Sequence, residues 1–213
     1  VAVSGIFEPR PDTNRVIDDV VATLRTGEVR RRQPVSLDTF RVTTDDPDVA
    51  EIIQELLGGE TSENDSDKES LQVHTTSASV DVVFESVDSG FSVFSNNAFV
   101  RSCNGQVQTG GEEAGQPCPC AGLDLEARKA FAAKGGCKPS INVVFRLADA
   151  PNLGRLRFRS GAWTLLEPIQ RVELAVDSAR EEEKPQLKGT IAIEQVTTKA
   201  GKMFKLPRVT VRR

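Results

Sequence analysis

The sequence predicts a β-rich α+β protein, and three observations carry that expectation. Apolar residues recur with a period of two over much of the chain, one segment switches to helical spacing, and all four cysteines fall in one stretch flanked by glycine and proline. With 213 residues, 38% of them hydrophobic, the chain is long enough to bury one core. It reads as a single α+β domain over 1–213, with a short amphipathic helix, a mobile acidic loop at 59–70 and a four-cysteine insertion at 101–140. No run approaches eighteen consecutive apolar residues, and the first residues have neither the basic nor the apolar region of an export leader. The expectation is a cytoplasmic protein with no membrane partner.

The helix is expected over 47–57. Asp45 or Asp46 is placed to cap it, Pro47 suits the first turn, and Gly58 can take the left-handed stop. Val49, Ile52, Ile53, Leu56 and Leu57 then fall on one face, at i, i+3, i+4, i+7 and i+8. The acidic stretch that follows offers almost nothing to bury, so it cannot offset the entropy of being ordered. Period-two strands are expected at Val80, Val82 and Phe84, at Phe91 and Val93, at Ile141, Val143, Phe145 and Leu147, and at Val172, Leu174 and Val176. Residues 190–196 and 203–211 read as a hairpin with a glycine-containing turn, whose last strand is an edge because Pro207 lacks a donor.

Cys103, Cys118, Cys120 and Cys137 have the spacing C-x14-C-x-C-x16-C. Zinc takes four thiolates in a tetrahedron, and a chain without an export signal keeps its thiols reduced, so one structural zinc is the expected cofactor. Two disulfides and free thiols are the alternatives that this spacing leaves open. Asn104-Gly105, Pro117, Pro119 and Gly135-Gly136 supply the turns, and a short helix is expected between Cys120 and Cys137, from Asp124 to the stop at Gly135.

There is one histidine, His74, and no tyrosine, which removes the usual general base. No phosphate-cradling or dinucleotide glycine motif is present, so the chain is expected not to be an enzyme. Charge is uneven: residues 1–120 carry 9 Lys+Arg against 21 Asp+Glu, and residues 121–213 carry 18 against 10. Arg155, Arg157 and Arg159 alternate with Leu156 and Phe158, which puts three guanidinia on one strand face. That face is either a solvated surface or a contact for DNA or a partner, and Arg30, Arg31 and Arg32 form a second basic cluster.

Several segments carry a resemblance. Gly5-Ile6-Phe7-Glu8, residues 34–46, Cys103-Asn104-Gly105, Pro117-Cys118-Pro119-Cys120, residues 137–145 and Asn152-Leu153-Gly154 are similar to the recombination directionality factor-like proteins of actinophages and integrated elements. The resemblance implies an accessory protein that binds a large serine integrase, or the integrase on its DNA, and turns site-specific recombination toward excision by contact alone. It carries the cysteines over as metal ligands and leaves direct DNA binding open. The alternative function is a zinc-stapled single-stranded DNA-binding or replication accessory protein, which the arginine row motivates.

Overall fold

Alternating apolar side chains build a sheet wherever one face can be buried, and they do so in most of the eleven strands among the described residues. The computed structural model describes residues 19–31, 33–64, 69–96, 98–197, 201 and 203–212. The motif at 5–8, Arg32, Lys199, Lys202, Arg213 and the centre of the acidic loop lie outside the described residues. The strands are β1 (Val20–Arg30), β2 (Gln33–Thr44), β3 (Glu60–Glu63), β4 (Leu71–His74), β5 (Ser79–Ser95), β6 (Ala98–Cys103), β7 (Gln108–Gly111), β8 (Lys138–Leu147), β9 (Arg155–Ser160), β10 (Lys188–Thr197) and β11 (Met203–Val211). The helices are α1 (Pro47–Leu57), α2 (Leu125–Ala133) and α3 (Leu166–Glu181). The fold is α+β and mostly β.

The chain forms two compact units, one of residues 17–87 and 142–213, the other around 88–141. In the larger unit the strand order is β11-β10-β5-β8-β9-β1-β2-β4-β3. β1 pairs antiparallel with β2 and parallel with β9, and β10 pairs antiparallel with β11 and with residues 79–83 of β5. One face of these strands supplies the core: Leu24, Phe40, Val42, Phe84, Phe145, Leu156, Phe158 and Ile191 are fully buried. Ile53 of α1 and Ile169 of α3 complete it.

α1 starts and stops where its capping chemistry dictates. The Asp46 carboxylate accepts from the backbone N–H of Asp48 at 2.9 Å and of Val49 at 3.4 Å, and Gly58 ends the helix at φ 69°. β11 forms an end of the order, as Pro207 requires.

Two expectations need correction. Residues 172–176 are not a strand but lie in α3, where Ile169, Val172, Val176 and Ala179 are buried at helical spacing while Leu174 is 56% exposed. Val172, Leu174 and Val176 mimic a period of two only because one solvent-facing leucine completes the alternation. The acidic loop at 59–70 is in part a strand: Glu60–Glu63 pairs with Leu71–His74, so backbone hydrogen bonds order a segment whose side chains stay exposed.

The smaller unit is built on a meander. Phe91–Ser95 of β5 pairs with β6, and β6 pairs with β7. Its helix α2 is capped by the Asp124 carboxylate, which accepts from Ala127 N–H at 2.8 Å. The four-cysteine insertion expected at 101–140 falls within this unit.

Candidate metal centre and basic strand face

Each cysteine is delivered by a turn or a strand end. Cys103 closes β6, and the Asn104 side chain then accepts from the N–H groups of Gln106 and Val107 at 3.0 and 2.8 Å, turning the chain back. An isolated bridge between Val107 and Pro117 brings the C-x-C pair alongside, with Cys118 N–H donating to Gln106 O at 2.7 Å. Cys137 follows α2 through Gly136, where a Cβ would lie 2.4 Å from the Phe131 ring. Only glycine fits at that crossing.

The result is one cluster. All four thiols are buried and unbridged, and their sulfurs lie within 4.8 Å of one another. Cys103 to Cys120 is 3.5 Å, Cys118 to Cys137 is 3.5 Å, Cys118 to Cys120 is 3.3 Å and Cys103 to Cys137 is 3.9 Å. Metal–sulfur bonds of ~2.3 Å in a tetrahedron put sulfurs ~3.8 Å apart, so the set fits a four-thiolate metal site. Such a closed site leaves no position for a reacting water, which makes it structural chemistry. Among the described residues, carboxylates and His74 take no part in the cluster.

Electrostatics show why the cluster asks for a cation. The hydrogen bond from Cys103 holds the Cys120 thiol down to about 5, against burial, while burial pushes Cys137 up to about 11. Cys103 is raised by its hydrogen bond to Cys120 and by burial. The buried thiols cannot all ionise side by side without a metal to share.

Two arginines that the cysteine spacing did not point to face the sulfurs. Arg128 of α2 donates to Leu123 O and Gly105 O at 2.9 Å each and to Cys120 Sγ at 3.7 Å, with its guanidinium 5.1 Å from the centre of the Phe91 ring. Gly105 accommodates that approach at φ 91°. Burial opposes the charge of Arg101, but its hydrogen bond to Cys137 and the charges of Cys137, Cys118 and Cys103 together outweigh this and raise the Arg101 pKa. A dipositive ion on four thiolates leaves two negative charges, which these two cations offset. An arginine two residues before the first cysteine was the only trace of this in the sequence.

The arginine row of β9 is arranged as its alternation predicts, with Leu156 and Phe158 buried. Its members differ, however. Arg155 is engaged by the carboxylates of Glu85 and Asp19, and Glu85 also accepts from Arg146. Arg157 is half-buried and Arg159 exposed. His74 ends β4, 3.9 Å from Glu28. Among the described residues no helix is long and apolar enough to cross a membrane.

A family model described as Gp3-like, recombination directionality factor-like, matches residues 21–212. No solved structure matches the chain.

Proposed function

The chain belongs to the Gp3-like family of recombination directionality factor-like proteins, and from that premise we propose that it binds a serine integrase and biases site-specific recombination toward excision. The match over residues 21–212 is the observation that carries the reading. The protein acts in the bacterial cytoplasm without chemistry of its own: it binds one integrase conformation on paired attachment-site DNA more tightly than another. Differential affinity is then the whole mechanism. Inverting a tenfold preference between two such states takes about a hundredfold difference in affinity, or about 2.7 kcal/mol. A few well-placed contacts supply that.

Zinc is the metal we assign to Cys103, Cys118, Cys120 and Cys137, since four buried thiolates at tetrahedral spacing suit a soft-tolerant ion without redox chemistry. Its part is to hold the smaller unit folded.

The β9 arginines favour a second reading, a single-stranded DNA-binding accessory protein. The engagement of Arg155 by Glu85 and Asp19 weighs against it, because one of the three cations is already neutralised. The deciding experiment supplies a candidate integrase with paired attachment-site DNA, with and without the protein. Added protein is expected to turn the products from integration to excision, and unchanged direction across candidate integrases would sink the reading.

A further inference from the structure

The sheet of the larger unit gathers more arginines than β9 alone carries. Arg25 stands opposite Arg41 in the β1–β2 ladder, and Arg41 opposite His74 in the β2–β4 ladder. In the parallel β1–β9 ladder Thr23 pairs with Arg157 and Leu24 with Phe158, so Arg159 falls beside Arg25 one residue further on. Ala22, Leu24, Phe40, Val42, Val73, Leu156 and Phe158 point into the core, which leaves all four arginines on the opposite face. Strands ~4.8 Å apart make this a compact row of guanidinia three strands wide.

Like charges placed opposite one another in a sheet are destabilising. The strain is visible: after burial, the neighbouring Arg25 is what holds Arg41 below the usual arginine range, and Arg157 and Arg25 do the same to Arg159. The chain compensates only in part. The Glu69 carboxylate accepts from Arg25 Nη2 at 3.1 and 3.2 Å and from Thr23 Oγ1 at 3.2 Å. Arg41 donates Nη1 to Gln72 at 3.0 Å, while its buried Nε has no partner. Arg159 makes no hydrogen bond or ion pair among the described residues, whereas Arg155 on the same strand makes two ion pairs. A cluster that costs stability, leaves Arg159 without a side-chain partner among the described residues and leaves Arg41 only partly satisfied is arranged for an anion from outside.

We propose that this face is a docking site for an acidic segment of a protein partner, whose carboxylates are taken by Arg41 and Arg159 on either side of the Arg25–Glu69 pair. The proposal rests on the reading that the protein works by contact with a recombinase, and it names the surface and its complement. Glu69 shows the carboxylate chemistry that the face accepts. The row is also short and bounded by acid: Glu28 lies beside His74, and Glu60 pairs with His74 in the adjoining strand, with Glu63 further along it. A phosphate backbone crossing the row would run on into those carboxylates, and the net charge of −4 repels long polyanions, whereas a short acidic segment ends within the row. Among the described residues the row is arginine throughout, which suits the two-oxygen geometry of a carboxylate.

The test titrates the full chain with a labelled decaglutamate peptide and with labelled single-stranded and duplex DNA of matched charge, at about 50 and about 200 mM salt. The peptide is expected to bind, and the Arg41→Gln/Arg159→Gln variant to lose at least about tenfold in affinity. Its melting temperature should stay equal or rise, because repulsion is relieved; Arg159→Gln alone, at an exposed position, provides a second variant. Glu69→Gln should bind the peptide more tightly, since the internal carboxylate no longer competes. Absence of peptide binding, binding unchanged in the double variant, or tighter binding of DNA lost in that variant would each overturn the proposal. In the excision assay the two ideas part: a wild-type protein without effect removes the directionality reading, while a double variant that redirects integrase normally removes only the docking face.

Discussion

The smaller unit gathers four cysteines and the larger unit four arginines, and the two clusters resolve their crowding in opposite ways. The thiols are buried, so their charge has to be met inside the fold, by Arg101 and Arg128 and by the metal ion that their spacing fits. The guanidinia of Arg25, Arg41, Arg157 and Arg159 are exposed or half-buried, Glu69 takes Arg25 and Gln72 part of Arg41, and water screens the exposed Arg159. Burial forces a cluster to be complete, and exposure lets it remain open to a partner. One cluster therefore fits a metal staple, and the other is the contact surface proposed above.

That contrast breaks first at Cys120. Cys120→Ser leaves the metal one ligand short, and since metal binding is folding free energy for such a site, the smaller unit should lose several kcal/mol and most of its protection from hydrogen exchange. The larger unit, with its own core, should keep its protection. Elemental analysis should find one zinc per wild-type chain; metal near zero after gentle purification would remove the staple. Arg128→Ala comes next. It strips the cluster of a guanidinium that touches Cys120, Gly105 and Leu123, and should weaken zinc about 10- to 100-fold in a chelator competition, with Arg128→Lys recovering only part. Acid should act in the same direction. Zinc must displace the protons that Cys103 and Cys137 hold at neutral pH, so retention falls as pH drops, and falls faster once Cys120, near about 5, also protonates.

The larger unit should show smaller effects, graded by pairing. Glu85→Gln removes the largely buried carboxylate that Arg146 and Arg155 share, and should cost about 1–3 kcal/mol in denaturant titrations. Arg159→Gln, without a partner to lose, should fall within about 0.5 kcal/mol of wild type. Equal costs for the two would mean that the row is held together by contacts within the fold, and the distinction between staple and open face would go.

The two clusters also differ in how far the sequence discloses them. All four cysteines lie within 35 residues, and proline and glycine mark their turns, so spacing alone groups them. α1 was equally plain, because Asp46, Pro47 and Gly58 mark its ends. Only one strand of the arginine row was legible, β9 with its strict alternation. Arg25 and Arg41 join it through strand register, which no local pattern encodes. The β1–β2 hairpin itself went unrecognised, since Gly27 and the shift in register beside it interrupt the period. α3 was misread because Val172, Leu174 and Val176 satisfy a period of two by accident, and a helix reveals itself only when Ile169 and Ala179 are counted in the same window.

The parallel pairing of β1 with β9 has a consequence in time. Val20 cannot meet Arg155 until nearly three quarters of the chain has left the ribosome, whereas the cysteines close a loop that is complete as soon as Cys137 emerges. Distant pairings fold slowly and local ones quickly. During synthesis at roughly 5–20 residues per second, all four cysteines are thus available seconds before β9, and the arginine face does not exist on a nascent chain that ends short of it. A protease that trims incomplete chains would release fragments that carry the whole four-cysteine cluster but cannot present the basic row.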